Sequence, residues 1–206
     1  MEARGRLLSA TRSKAALWAL LAVPAALIVF DYLTGDAYAG DYLHPTGEWS
    51  ARFAILALML TPLSMLLPRQ RWVQWLLSRR RAFGVAGFGY ALLHLIFYLI
   101  DMETVRNILA EMWALGIWTG WAAFLLLLPL ALTSNQWSMR RLKSGWKRLQ
   151  RLAYGAALLT LAHWLFVHDG FLPALLSFAP LAALEIWRVA RRLRTGSSSR
   201  QPSAPI

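Results

Sequence analysis

Six apolar stretches, each close to the length that carries one helix across a bilayer, decide most of what this 206-residue chain can fold into. They run roughly from 15 to 33, 48 to 67, 83 to 101, 113 to 133, 151 to 168 and 171 to 189, and about 20 predominantly apolar residues span a hydrocarbon core of ~30 Å. With 58% hydrophobic residues, the composition is that of a membrane protein. Lipid offers backbone groups no hydrogen-bond partners, so the expected fold class is all-α, an integral membrane bundle of six transmembrane helices. The bundle occupies 15–192 as one domain, between a basic N-terminus (1–14) and a tail (193–206), Ser/Pro-rich from Thr195, that reads as disordered. The first stretch follows basic residues as a signal peptide would. It is long, contains Pro24 and lacks a small-residue cleavage site, so it reads as a retained helix.

Charge sets the orientation. The net charge of +12 lies in short runs between the apolar stretches, which argues against nucleic-acid binding and for loops on one membrane face. Arg4, Arg6, Arg12 and Lys14 precede the first stretch, and Arg69, Arg71, Arg79, Arg80 and Arg81 follow the second. Arg140, Arg141, Lys143, Lys147, Arg148 and Arg151 follow the fourth, and Arg188, Arg191, Arg192, Arg194 and Arg200 lie towards the C-terminus. The remaining loops carry Asp31, Asp36, Asp41, Glu48, Asp101, Glu103, Glu111 and Asp169, with Arg106 among them. The positive-inside rule then puts both termini in the cytoplasm. Trp49, Trp72, Trp75, Trp113, Trp137, Trp146 and Trp187 cluster near segment ends and read as interfacial anchors.

Inside this frame two ionisable residues stand out, because a polar side chain in the hydrocarbon is costly and marks function by default. His94 lies seven residues before Asp101, ~10 Å below the outer boundary, and His163 lies six residues before Asp169, ~9 Å below it. Both segments run outward, so the imidazoles share one layer. Gly87 stands seven residues before His94 and Ala156 seven before His163, with Gly155 beside it. Small residues on those faces would leave room for a flat macrocycle. The chain has no cysteine, which removes thiolate metal sites, and no carboxylate shares the layer, which disfavours zinc. From the residues alone, bis-histidine haem ligation, a packing contact and a proton relay all remain open.

His44-Pro45-Thr46-Gly47, Thr61-Pro62-Leu63, Arg80-Arg81, Leu93-His94-Leu95, Leu130-Ala131-Leu132-Thr133-Ser134, Trp146, Leu149, Tyr154 and Ala162-His163-Trp164 occur in an order and spacing that fit one pattern. From about Gly40 to Arg192 the sequence resembles the ferric-reductase-like membrane haem proteins, and within them the MsrQ/YedZ family of haem subunits of the bacterial periplasmic methionine-sulfoxide reductase system. The resemblance implies a multi-pass protein of the bacterial inner membrane that passes electrons from the quinone pool through haem b. Their destination would be a periplasmic molybdopterin-containing methionine-sulfoxide reductase, its partner in a heterodimer, which carries out the repair chemistry. It implies His94 and His163 as axial haem ligands and His44 as a residue at a haem or quinone edge. The family is also associated with FMN, for which no motif is assignable here.

One departure matters: Gln150 stands where the resemblance leads one to expect histidine, thirteen residues or ~20 Å below His163. Glutamine is a poor haem ligand beside histidine, so one haem is expected, with Gln150, Arg80 and Arg81 available to propionates, quinone or flavin at an inner site. Thr46 reads as an N-cap of the second segment, which would put His44 in a solvated cap or at a cofactor or partner edge. His168, about 140° around the helix from His163, reads as a boundary residue, and Arg52 and Glu185 as structural charges. Two rival functions remain: a ferric- or oxidase-type reductase fed by a cytosolic flavin reductase, and a haem-free transporter or assembly factor. At the level of sequence there is no internal repeat.

Overall fold

The computed structural model describes residues 2–167 and 171–198, and the described residues contain helices and turns with no strand. Six helices carry the apolar stretches: α1 (Glu2–Thr34), α2 (Leu43–Leu66), α4 (Arg80–Met102), α6 (Leu115–Leu132), α9 (Leu152–Val167) and α10 (Phe171–Ser198). Short helices fill the connections: α3 (Arg71–Ser78), α5 (Val105–Glu111), α7 (Gln136–Leu142) and α8 (Ser144–Gln150), with a 3-10 turn at Ala39–Tyr42. Among the described residues, five segments are long and apolar enough to cross a membrane. The described part of α9 is 16 residues, ~24 Å at 1.5 Å per residue. It falls short of the length of the other five.

The outer surface of the bundle identifies its solvent. Leu20, Leu27, Phe30, Leu125, Leu158, Leu176 and Ile186 are each more than 60% exposed, a continuous apolar coat that water would not tolerate. The chain is a multi-pass membrane protein. Its interior holds two main packing centres. Leu17 and Leu21 of α1 meet Phe53 and Leu60 of α2 and Phe83, Ala86 and Tyr90 of α4. Ala51 and Ile55 of α2 meet Ala157 and Trp164 of α9 and Ala174, Phe178 and Leu181 of α10. Two helix pairs dominate, α2 along α4 and α6 along α9.

Pro24 removes one amide from α1, and the neighbouring turn is opened by α4. The Tyr90 hydroxyl donates to Leu21 O and accepts from Ala25 N, both at 2.8 Å, so α1 is tied to α4 through its own backbone. Close approach of α2 and α4 also explains Gly87. A Cβ there would meet Ala54 N and Ser50 O at 3.2 Å, and Ser50 Oγ donates to Gly87 O at 2.9 Å. Gly87 therefore serves helix packing and leaves no room for a macrocycle, contrary to the expectation from its spacing to His94. Ala156 is likewise buried, 1% exposed.

Several boundaries differ from the sequence reading. Helix α2 begins at Leu43, with Tyr42 at its N-cap, so Thr46 is an internal helical residue and not the cap. Helix α10 continues through Ser198, so 193–198 are helical where a disordered tail is expected. Residues 199–206 lie outside the described residues, as does His168. Among the expected anchors, Trp72, Trp113 and Trp137 are more than half exposed. Trp49 instead packs against Phe53 and Tyr90, and Trp146 Nε1 donates to Thr133 O at 3.0 Å. Arg52 pairs with Glu48 at 2.5 Å and Glu185 with Arg188 at 2.5 Å, as structural charges should.

Candidate haem site

His94 projects from α4 and His163 from α9, the second member of each dominant helix pair. Their ring centres lie 6.0 Å apart with the planes at 85°. Two imidazoles bound to one metal ion through bonds of ~2.0 Å would have centres roughly 6 Å apart. The observed separation thus leaves room for one metal atom between the rings.

Each ring is held on its other side by a backbone carbonyl. His94 Nδ1 lies 2.9 Å from Leu43 O, and His163 Nδ1 lies 2.7 Å from Gly116 O. A carbonyl can only accept, so Nδ1 carries the proton in both rings, and Nε2 is the nitrogen each ring offers to a metal. Metal-ligating histidines characteristically donate their second nitrogen in this way. Both rings also rest on glycine. A Cβ at Gly47 would stand 3.2 Å from His94 Nδ1, and one at Gly120 would stand 2.7 Å from His163 Nδ1.

The rings face a cleft of about 100 Å³, lined by Gly47, Ala91, Leu95, Tyr98, Ile117, Gly120, Phe124 and Thr160 among others. It continues outward past His44, Glu48, Met102 and Glu111. Among the described residues no group of three or more His, Asp or Glu side chains is placed to hold a metal ion. Two imidazoles alone do not complete a zinc site, whereas a macrocycle that brings four nitrogens of its own needs only two axial ligands from the protein. The residues present fit haem.

Residues 46–161, more than half of the chain, match the family described as ferric reductase like transmembrane component. The protein-methionine-sulfoxide reductase heme-binding subunit MsrQ of Xanthomonas euvesicatoria pv. vesicatoria is 38% identical over 183 residues, covering 85% of this chain and 80% of the relative. The MsrQ of Xanthomonas campestris pv. campestris is 34% identical over 224 residues, covering 96% and 94%. The chain belongs to the MsrQ family. The MsrQ of Caulobacter vibrioides is 34% identical over 184 residues, covering 82% of this chain and 84% of that one. No solved structure matches.

The other residues that the MsrQ resemblance singles out fall into two groups. His44, in the first turn of α2, lines the outer part of the cleft and stands edge-on to Trp164 at 6.4 Å. Arg80, Arg81 and Gln150 are each engaged with a different element. Arg80 Nη1 donates to Thr61 Oγ1 of α2 at 2.5 Å, and Arg81 Nη2 contacts Met139 Sδ of α7 at 2.9 Å. Gln150 Nε2 reaches Leu130 O and Thr133 Oγ1 at the end of α6, both at 3.4 Å. Sequence reasoning missed Thr119, Gly120 and Gly116, took Gly47 only as part of a family motif, and took Thr46 as part of that motif and as an N-cap. The available signal was a Thr-Gly dipeptide at 46–47 and again at 119–120.

Proposed function

We propose that this chain is the membrane haem subunit that passes respiratory-chain electrons, drawn from quinol, to a periplasmic molybdenum-cofactor methionine-sulfoxide reductase with which it forms a heterodimer. The observation that carries this reading is the His94–His163 pair, 6.0 Å apart, with both Nδ1 atoms committed to backbone carbonyls. His94 and His163 would hold one haem b, which when bound would supply a one-electron carrier, chemistry suited to relay. The names of the relatives, heme-binding subunits of protein-methionine-sulfoxide reductase, support both the cofactor and the partner.

The chain's own residues have three tasks. His94 and His163 fix the carrier between α4 and α9. Leu95, Ile117, Phe124 and Leu127 keep the site apolar and dry. Glu111 lies on the outer part of the cleft beside the Glu48–Arg52 pair and gives its mouth a negative charge that can orient a partner with a basic docking patch. His44 lies at that mouth, and its place there supports a role at the cofactor edge. In this reading α9 is the sixth span, both termini are cytoplasmic and the cleft opens to the periplasm of a bacterial inner membrane. The basic inner loops support that orientation.

A reduced-minus-oxidised absorbance spectrum of the detergent-purified chain tests the central claim. Sharp bands of six-coordinate haem b at about one haem per chain are expected, and a fully reconstituted chain without them would sink the proposal. Single cysteines introduced into this cysteine-free sequence test the topology. Residues flanking 36 and 106 should label from outside and those flanking 70 and 145 from inside.

A further inference from the structure

The two histidines are held by the same local device, used twice. On α2, Thr46 and Gly47 are consecutive, Leu43 O lies four residues before Gly47, and that carbonyl receives His94 Nδ1. On α6, Thr119 and Gly120 are consecutive, Gly116 O lies four residues before Gly120, and that carbonyl receives His163 Nδ1. Both carbonyls also sit within reach of the threonine hydroxyl of the same turn. Thr46 Oγ1 is 2.6 Å from Tyr42 O and 3.1 Å from Leu43 O, and Thr119 Oγ1 is 2.8 Å from both Leu115 O and Gly116 O. The carbonyl and the ring it holds are 51 residues apart in one case and 47 in the other, so the arrangement repeats at similar spacing in the two helix pairs.

Helix geometry explains the residue types. A side chain leans toward the N-terminus and covers the turn before its own Cα. Any Cβ at 47 or 120 would therefore shield the carbonyl four residues earlier, from the side on which the imidazole approaches. The distances bear this out, since a Cβ would meet His94 Nδ1 at 3.2 Å and Cε1 at 3.3 Å, and His163 at 2.7 and 2.8 Å. Contacts under 3.0 Å cannot be accommodated without moving the ring. Each threonine hydroxyl is shared between its i−4 and i−3 carbonyls, and only the i−3 oxygen is the one the imidazole uses, 3.1 Å from Thr46 Oγ1 at Leu43 O and 2.8 Å from Thr119 Oγ1 at Gly116 O.

We infer that Thr46-Gly47 and Thr119-Gly120 are matched positioning elements that set the orientation and electron-donating strength of His94 and His163. This rests on the haem reading above. The bond from Nδ1–H to the carbonyl gives the imidazole partial imidazolate character, which favours oxidised iron, and the threonine hydroxyl limits that effect by sharing the acceptor. The glycines act on ring orientation and the threonines on bond strength. None of the four touches the iron.

The test uses the full-length chain in detergent, loaded with haem b, with midpoint potential and the g-values of the low-spin ferric signal as readouts. Gly120→Ala is expected to change the g-values and weaken haem retention by about 10–100-fold. Gly47→Ala should move both in the same sense by less, because its ring has more clearance. Thr119→Val should lower the midpoint potential by releasing Gly116 O to His163, and Thr119→Ser, which keeps the hydroxyl, should restore it. Where Gly120→Ala does not fold, the isosteric Thr119→Val and its serine counterpart carry the test alone. A haem-loaded wild type whose potential and g-values are unchanged in both Gly120→Ala and Thr119→Val overturns this inference alone. A wild type that takes up no haem overturns the function on which it rests.

Discussion

On the orientation expected from the charges, the half of the bundle that carries His94 and His163 is the outer one and the half around Gln150 the inner. Both are built from the same helices and do different things with their polar groups. In the outer half, polar groups converge on one cleft: two imidazoles, two carbonyls and two threonine hydroxyls are arranged around a shared space. In the inner half they diverge. Arg80 goes to α2, Arg81 to α7 and Gln150 to the end of α6, while Tyr154, Glu185 and Arg188 bind one another across α9 and α10. The contrast teaches that a polar residue in a membrane bundle is informative through its direction. At one depth the polar groups face a common space, and at the other they satisfy the ends of their own helices.

The largest effect that could break this contrast comes from the ligands. His94→Ala and His163→Ala should each abolish the haem spectrum, whereas Gln150→Ala should leave it, as a pyridine haemochrome assay would register. Loss of haem from the Gln150 variant would place a ligand in the inner half after all. A sharper version installs the missing side chain. Gln150→His should leave the stoichiometry at one haem per chain, because residue 150 points at the α6 terminus and the arginines across from it are engaged elsewhere. Two haems per chain would mean that only the residue type, and not the arrangement, separates the halves.

Two smaller effects concern stability with haem retained. Arg188 and Glu185 have side chains only 13% and 19% exposed, so Glu185→Ala leaves a poorly solvated cation and should cost about 2–3 kcal/mol, visible as a lower Tm in detergent. Gln150→Ala removes two long bonds of 3.4 Å and should cost about 0.5 kcal/mol, the low end for a neutral hydrogen bond. A cost for Gln150 above that of Glu185 would reverse the assignment of which group holds the inner end together.

The histidine pair was legible because charge marks the membrane boundaries and helical rise converts residue count into depth. Depth says nothing about azimuth. Gly87 shares a face with His94 by spacing, yet that part of α4 turns toward α2, and only the packing of the two helices reveals it. The glycines that do matter lie on α2 and α6, neither of which carries a ligand. Their pairing with histidines some 50 residues away is a tertiary relation with no periodicity to betray it. The short helices α3, α7 and α8 were hidden for a different reason. Their basic residues read as loop charge, although α3 buries Val73 completely and presents Trp72 and Trp75 outward, with Arg79 over the Trp75 ring.

The acceptors that grip the two imidazoles belong to the main chain. A side-chain carboxylate in that role could be deleted by one nucleotide change, but any residue at 43 keeps its carbonyl, and at 116 the glycine is needed only because a Cβ would meet Val167 Cγ2 at 2.7 Å. Genetic drift can therefore rewrite most of α2 and α6 without disturbing what the rings experience. The fragile codons are those of Gly47, Gly116 and Gly120, where one added carbon does what no loss of a functional group could.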